Sequence, residues 1–152
     1  MDNPGLDSDS FSKSSEWFGE VLGWLDGPAA PVLSHAELED QLDARGRELL
    51  RRMFQDHLSL RAMTERRLGE VRDADARAHR AVEAGHHRML ATVFGEVEVT
   101  RLACRRRGHP NLYPADAALN LPAERHSHGL RRLAATEAAR GSFDEAAAAL
   151  ER

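Results

Sequence analysis

The sequence predicts a mostly α-helical protein with one small β-hairpin, an α+β fold that closes with a helical hairpin resembling an incomplete helix-turn-helix. Three observations favour this class. The chain has 152 residues, about the length of one domain. Only 5% of them are aromatic, so Leu, Val and Ala must form most of the core, which favours helix. Hydrophobic residues recur at helical spacing along most of the chain and alternate as in a strand over one short segment.

The first predicted helix follows an acidic tail. Residues 1–11 are rich in Asp, Ser, Asn, Pro and Gly, a composition typical of disorder. Large apolar residues then recur at helical spacing, and they are Trp17, Phe18, Val21, Leu22 and Leu25. The Gly- and Pro-containing segment 27–31 is expected to end this helix.

A capping box predicts where the next helix begins. Ser34 and Glu37 have the spacing at which a hydroxyl and a carboxylate each satisfy a free amide of the first turn. We expect a short helix from there and, after Gly46, a long helix over residues 47–71. Residues 72–85 are highly charged and follow no clear period, and we include them in a helical region that spans residues 12–85.

The pattern changes to strand alternation further along the chain. Leu90 and Thr92, and then Val97 and Val99, alternate with polar residues, and Gly95 lies at the expected turn. These residues predict a β-hairpin over residues 88–104. Together with the Arg-rich loop that follows, it forms a predicted segment 86–114.

The last segment, residues 115–152, is predicted to be helical. Ser127 opens a helix that runs to Arg140, and Gly141 ends it. Ser142 and Glu145 form a second capping box, which predicts another helix up to the last residue. Two helices joined by such a turn resemble the first part of a helix-turn-helix whose third helix is absent. A plain helical hairpin is equally consistent with the spacing.

The charge is unevenly distributed along the chain. The formal net charge is -4, and almost all of the positive charge is arginine, since Lys13 is the only lysine. Residues 1–44 carry one base and ten acids, whereas residues 45–90 carry eleven Arg and seven acids. Residues 91–152 carry nine Arg and eight acids. The acidic beginning therefore conceals a basic remainder, which indicates a polyanionic partner or contact with another protein segment.

Arginines near the hairpin are the candidate binding residues. Arg105, Arg106 and Arg107 follow the hairpin directly, and guanidinium groups on a loop can bind phosphates bidentately. Arg101 and His109 extend this positive patch. Arg125, Arg131 and Arg132 join Arg101 and the loop arginines in the predicted DNA-binding set if the second helical region folds near the loop. A solvated surface without a ligand is the alternative interpretation of such a run.

The sequence gives little support for a metal site or for catalysis. Ligand types for zinc cluster only around Cys104, His109, His126 and His128, with His86 and His87 nearby, and their spacing fits a structural zinc site poorly. We therefore predict no metal site. No nucleophile with a base, no phosphate loop and no set of paired carboxylates predicts a catalytic residue.

The cellular compartment follows from two further observations. A single cysteine excludes an intramolecular disulfide framework and favours a reducing cytoplasm. No apolar run is long enough for a membrane span, and the acidic beginning is unlike a secretion signal. We therefore expect a cytoplasmic protein without a membrane partner.

The segment from Thr92 to Arg152 resembles the amino-terminal region of transposases of the ISKra insertion-sequence group. It reads TVFGEVEVTRLACRRRGHPNLYPADAALNLPAERHSHGLRRLAATEAARGSFDEAAAALER. The segment LSHAELEDQLDARGRELLRRMFQDHLSLR, residues 33–61, resembles the leading helical region of the same family. Where related transposases carry cysteine pairs after the hairpin, this chain has only Cys104.

The resemblance implies a transposase of the DDE class. In that class a ribonuclease-H-like domain uses three acidic residues and two magnesium ions to attack phosphodiesters. Because that domain lies downstream of the matching region, the resemblance implies a fragment truncated before it and inactive by itself. Its partner would be DNA at transposon ends, it would help to assemble the transposase, and it could form a homo-oligomer. The alternative is a stand-alone helical interaction module that oligomerises through residues 17–25 and 49–60.

Overall fold

The structure, a computed structural model, describes residues 10–141 and divides the chain into two compact units, one up to Thr64 and one from Glu65. Unit 1 contains α1 (Ser12–Asp26), a single 3₁₀ turn (Ala30–Val32) and α2 (His35–Met63). Unit 2 contains β1 (Val71–Arg72), β2 (Ala78–His79), β3 (Ala81–Thr92), β4 (Gly95–Arg105), α3 (Pro114–Ala118) and α4 (His128–Arg140). This mixture of helices with small antiparallel sheets confirms the predicted α+β class. Among the described residues, no helix combines the length and the apolar composition that crossing a membrane requires.

Unit 1 is a helical hairpin in which α1 runs antiparallel to α2. The Ser14 amide donates to Asp56 Oδ2 at 2.9 Å, and Trp17 Nε1 donates to the Arg45 carbonyl at 3.0 Å. The Arg45 guanidinium lies 4.2 Å above the Trp24 ring, and the Arg52 guanidinium lies 4.5 Å above the Trp17 ring. Hydrogen bonds and cation–π contacts thus hold α1 against α2 along most of the length of α1.

Two predicted boundaries in unit 1 are wrong. The expected short and long helices form one continuous helix, α2, which passes through Gly46 without a break. A glycine inside a helix costs only about 0.5–1 kcal/mol, and the contacts of the neighbouring Arg45 with both tryptophans offset that cost. The helix also ends at Met63 rather than at residue 71, and the hydroxyl of the C-cap residue Thr64 donates to the Leu60 carbonyl at 3.0 Å. The Ser34–Glu37 capping box is confirmed.

We predict that the stability of unit 1 depends on pH through the ionisation of Glu48. Hydrogen bonds from Arg51, supported by Arg52, lower the pKa of Glu48 to about 2. Because the native pKa lies below the unfolded value, the stabilisation is complete above about pH 4.5 and is lost as the pH falls through about 2. Glu48→Gln should lower the free energy of unfolding at neutral pH by about 1 kcal/mol, the usual size of two such helix-surface pairs. Urea unfolding, followed by the fluorescence of Trp17 and Trp24, measures the free energy of unfolding of the unmodified chain and of the variant. If the two still differed in stability below pH 2, the ionised Glu48 carboxylate would not be the cause.

The long hairpin of β3 and β4 is the centre of unit 2. Its antiparallel register runs from Ala81 opposite Arg105 to Thr92 opposite Gly95, with a two-residue turn between the strands. Its inward-facing apolar side chains are almost fully buried, and they are Leu90, Val97, Val99 and Ala103. The predicted hairpin is therefore confirmed, and it is longer than expected because β3 begins at Ala81. An extra residue makes a bulge between Glu83 and His86, where Gly85 has a φ of 82°.

The prediction of helix up to residue 85 is wrong. Residues 65–85 contain no helix, and within them β1 pairs with β2 in a short hairpin. The Asp73 carboxylate accepts from the backbone amides of Asp75 and Arg77, both at 2.9 Å, and so closes the turn. An aspartate that bonds its own following amides offers the backbone an alternative to helix.

The C-terminal part of unit 2 packs along β3. The Ala91 amide donates to the Arg125 carbonyl, and the Ser127 amide donates to the Ala91 carbonyl, both at 2.9 Å. The Ser127 hydroxyl then accepts from the Leu130 amide at 3.1 Å and caps α4. The predicted start and end of this helix are confirmed, although Gly141 is extended rather than left-handed. The helix predicted from Ser142 and residues 1–9 of the tail predicted over residues 1–11 lie outside the described residues. The last two residues of that predicted tail, Ser10 and Phe11, form a turn, and the Phe11 carbonyl accepts from the Ser15 amide at 3.0 Å.

Candidate nucleic-acid interface

Residues 105–109, which we term the arginine loop, begin at the last residue of β4, at the end of the hairpin away from its turn. The His109 amide donates to the Arg106 carbonyl at 3.2 Å, and Gly108 adopts a φ of 77°. A tight turn with a positive φ at its third residue favours glycine there and leaves Arg107 at the outer corner. The loop borders a concave surface that encloses a volume of about 400 Å³. It is lined by Ala81, Arg105, Arg106, Arg107, Gly108, His109 and Asn111.

The three arginines of the loop are exposed and differ in their partners. Arg105 Nη1 lies 2.6 Å from Glu83 Oε2. Arg106 Nη1 donates to the Ala78 carbonyl at 3.3 Å, a neutral acceptor. Arg107 makes no hydrogen bond or ion pair with any residue that the structure describes. Three guanidinium groups therefore face one carboxylate, and the loop keeps an excess of positive charge.

Glu83 is the acidic counterpart of the loop. Its Oε2 also lies 3.1 Å from His86 Nε2. The hydrogen bond from His86, followed by the charge of Arg105, holds the pKa of Glu83 below its usual value. Glu83 is thus ionised at neutral pH and competes with any incoming anion for Arg105.

Buried polar contacts fix the base of the loop. His79 is almost fully buried, with Nδ1 3.3 Å from the Cys104 carbonyl and Nε2 3.4 Å from Asp73 Oδ2. The amide of Arg77, and then the contact with His79, lower the pKa of the Asp73 carboxyl. Burial, followed by the nearby Glu65 carboxylate, raises the pKa of the Cys104 thiol, which favours a neutral packing residue over a ligand.

Arg101 does not belong to this surface. Its side chain is buried, its Nε lies 2.8 Å from Asp116 Oδ1, and its guanidinium lies 4.1 Å above the Tyr113 ring. Neither of the two paired atoms has an aligned hydrogen bond among the described residues, so the contact is an ion pair. We therefore exclude Arg101 from the predicted DNA-binding set. The period of the strand already indicates this, because Arg101 shares its face with Val99 and Ala103.

The remaining predicted arginines lie at the opposite end of the hairpin. Arg125 is ion-paired with Glu96, next to the hairpin turn. Arg131 Nη1 lies 3.0 Å from Glu124 Oε2, and the exposed Arg132 side chain has no hydrogen-bond or ion-pair partner among residues 10–141. The strand from Glu96 to Arg105 spans roughly 30 Å at about 3.3 Å per residue. The condition under which Arg125, Arg131 and Arg132 would join the arginine loop is therefore not met, and the basic residues form two separate groups.

Sequence reasoning missed the acidic and aromatic partners of these arginines. Glu83 and Arg105 are diagonal neighbours across the hairpin, a relation that appears only once β3 is extended back to Ala81. Tyr113 is the N-cap residue of the short helix α3, and Asp116 lies in its first turn. The predicted helical segment 115–152 includes most of α3, but no helix start was predicted in that segment before Ser127. Pro114 at the start of that helix, followed by Asp116 in its first turn, is the signal that could have indicated it.

Among the described residues, no group of three or more His, Cys, Asp or Glu side chains is arranged to hold a metal ion. Comparison of the chain with protein-family models, with curated proteins and with solved structures finds no match.

Proposed function

We propose that unit 2 binds the phosphate backbone of duplex DNA through the arginine loop. In this proposal the chain serves as the DNA-end-binding and assembly region of a transposase similar to the ISKra group, and it acts in the cytoplasm. The observation that carries the proposal is the concave surface beside the loop, lined by three exposed arginines opposed by one carboxylate. The magnesium that the resemblance implies would serve acidic residues of a catalytic domain, and we assign no catalytic role to any residue of this chain.

The chemistry of the loop favours contacts with the phosphate groups of a nucleic acid over contacts with its base edges. Guanidinium groups bind phosphate oxygens through paired hydrogen bonds, and such contacts position a protein on DNA without reading its sequence. The proposed interface is thus selective for the polyanion and indifferent to base order. Arg125, Arg131 and Arg132 would supply a second contact roughly 30 Å away along the strand, close to the 34–36 Å of one duplex turn.

Glu83→Gln should strengthen binding to a short duplex at low salt, roughly twofold to fivefold, the range expected for one exposed ion pair. The reason is that Arg105 gains freedom to bind phosphate when the carboxylate at 2.6 Å loses its charge. Fluorescence anisotropy with labelled duplex, over a series of salt concentrations, measures both the affinity and its salt dependence. We expect the unmodified chain to bind with an affinity that falls steadily as salt rises.

Glu39→Gln is the matched control, because it removes the same charge from an exposed carboxylate of α2 that also has a basic partner, His35 Nδ1 at 3.6 Å, and that belongs to neither proposed DNA contact. An equal gain from both variants would show that net charge alone controls binding and would remove the loop from the proposal. If the unmodified chain does not bind duplex even at low salt, the alternative function as a helical interaction module is favoured.

A further inference from the structure

Unit 1 carries a continuous apolar face that α1 and α2 leave exposed. Phe18 and Leu22 of α1 are each 49% exposed, and Met53 of α2 is 45% exposed. They belong to a larger set of half-exposed apolar side chains at helical spacing, which we term the apolar face and which consists of Phe18, Leu22, Leu25, Leu42, Leu50 and Met53. A groove of about 430 Å³ runs into it between the helices, lined by Phe11, Ser14, Ser15, Phe18, Leu49 and Met53.

The spacing of these residues indicates that a helix covers them. On α1 the exposed residues recur at intervals of four and three, as do Leu42, Leu49 and Met53 with Gly46 between them on α2. This is the period of helices that pack side by side in a bundle. A second stripe thus remains available after α1 and α2 have packed against each other, and contiguous exposed apolar residues of this kind mark an interaction surface.

We propose that a second copy of this chain covers the apolar face, so that two hairpins form a four-helix bundle in which α1 of each copy packs against α2 of the other. The residues concerned all lie in unit 1, so the proposal does not rest on the proposed DNA binding by unit 2.

Charge complementarity supports a second copy and this helix order. α1 carries one base, Lys13, against three acids, Glu16, Glu20 and Asp26. The part of α2 over residues 45–61 carries five Arg against two acids. Over its whole length α2 carries six acids against five Arg, so the complementarity concerns only its segment 45–61. With α1 and α2 alternating around the bundle, each acidic α1 lies between two such segments. Two α1 helices in contact would instead repel each other.

The size of the face also fits a dimer. A helix of the length of α1, 15 residues, spans about 22 Å. Taking roughly 200 Å² for a fully exposed large side chain, the exposed fractions of the apolar face amount to about 500 Å² per copy. A standard interface takes about 800 Å² per partner, with an apolar centre and a polar rim. The apolar face supplies the centre, and the charged residues around it supply the rim.

The test is the mass of the whole chain in solution, measured by sedimentation velocity over a range of concentrations. We expect a dimer of roughly twice the chain mass of 16.9 kDa. Leu22→Glu combined with Met53→Glu should give a monomer that keeps its helical circular dichroism, since both side chains are already half exposed. The matched control, Val32→Glu with Met63→Glu, changes two side chains that are 82% and 80% exposed and should leave the dimer intact.

A monomeric unmodified chain, or a dimer that survives Leu22→Glu with Met53→Glu, would overturn the proposal, as would an unmodified chain that forms only larger assemblies. If that double variant loses its helical signal, Leu22→Gln provides the milder test, and it should raise the dimer dissociation constant at least tenfold; no change would count against the proposal.

Glu16→Arg with Asp26→Arg tests the order of the helices around the bundle. It should weaken the dimer at low salt, and unchanged or stronger association would exclude the alternating arrangement.

Discussion

Changing Arg105, Arg106 and Arg107 together to alanine is expected to weaken duplex binding at least tenfold at low salt. Loss of three phosphate contacts should also reduce the slope of log affinity against log salt by about 2.7. The fold should be little affected, because all three side chains are exposed and the one ion pair among them, with Glu83, lies at the surface.

The physical reason is the release of counterions. Each guanidinium that neutralises a phosphate frees a cation from the DNA, so the number of contacts appears directly in the salt slope. A lower affinity at one salt concentration could result either from lost phosphate contacts or from a damaged fold. The slope of log affinity against log salt distinguishes the two, because it depends on the number of phosphate contacts. Fluorescence anisotropy at four or more salt concentrations therefore measures the number of contacts that the loop supplies.

The control for this experiment removes three arginines elsewhere. Arg61, Arg66 and Arg140 are exposed, and their replacement by alanine changes the net charge of the chain by the same amount. We expect this triple variant to retain most of the salt slope. Equal slopes for the two triple variants would show that DNA responds to the total charge and that the arginine loop has no particular role.

Arg101→Ala is expected to destabilise unit 2 by about 3 kcal/mol, near the lower end of the usual cost of breaking a buried ion pair. The change leaves Asp116 without its closest partner, since Arg88 Nη1 is 3.9 Å away from Asp116 Oδ2. It also removes the guanidinium from the face of Tyr113 and so loosens the attachment of α3 to β4. The position that the sequence suggested for DNA binding thus acts on stability.

Hydrogen exchange of β3 and β4 amides in denaturant measures this effect within unit 2 alone. Arg105→Ala is the matched comparison, because it breaks an exposed ion pair on the same strand and should cost less than about 1 kcal/mol. Arg101→Ala with Asp116→Ala should recover part of the loss, since no buried charge is then left unpaired. A cost for Arg101→Ala no larger than that for Arg105→Ala would refute the structural role.

Much of the fold is predictable from local signals. The capping serines, Ser34 and Ser127, marked two helix starts correctly, because a hydroxyl that accepts from an amide of the first turn needs no distant partner. The alternation around Leu90 and Val97 predicted the hairpin, because the two faces of a strand are read directly from the sequence.

The incorrect boundaries arose where local signals compete. Gly46 suggested a break, but contacts made by its neighbours with α1 keep α2 continuous. The charged run after Thr64 follows no period, and its backbone is set by the Asp73 side chain and by pairing between β1 and β2. Such effects depend on contacts that the spacing of apolar residues does not report.

In the candidate site, too, some features follow from the local sequence and others from tertiary contacts. The sequence by itself determined that three adjacent arginines follow a hairpin and lie in a loop. Only the tertiary structure decided which arginines share a surface, because that depends on strand register and on which end of the hairpin each segment reaches. It buried Arg101 against Asp116 and held Arg125 beside Glu96, far from the loop. Residue type specifies what a side chain can bind, whereas the folded chain determines whether that side chain is already bound within the protein.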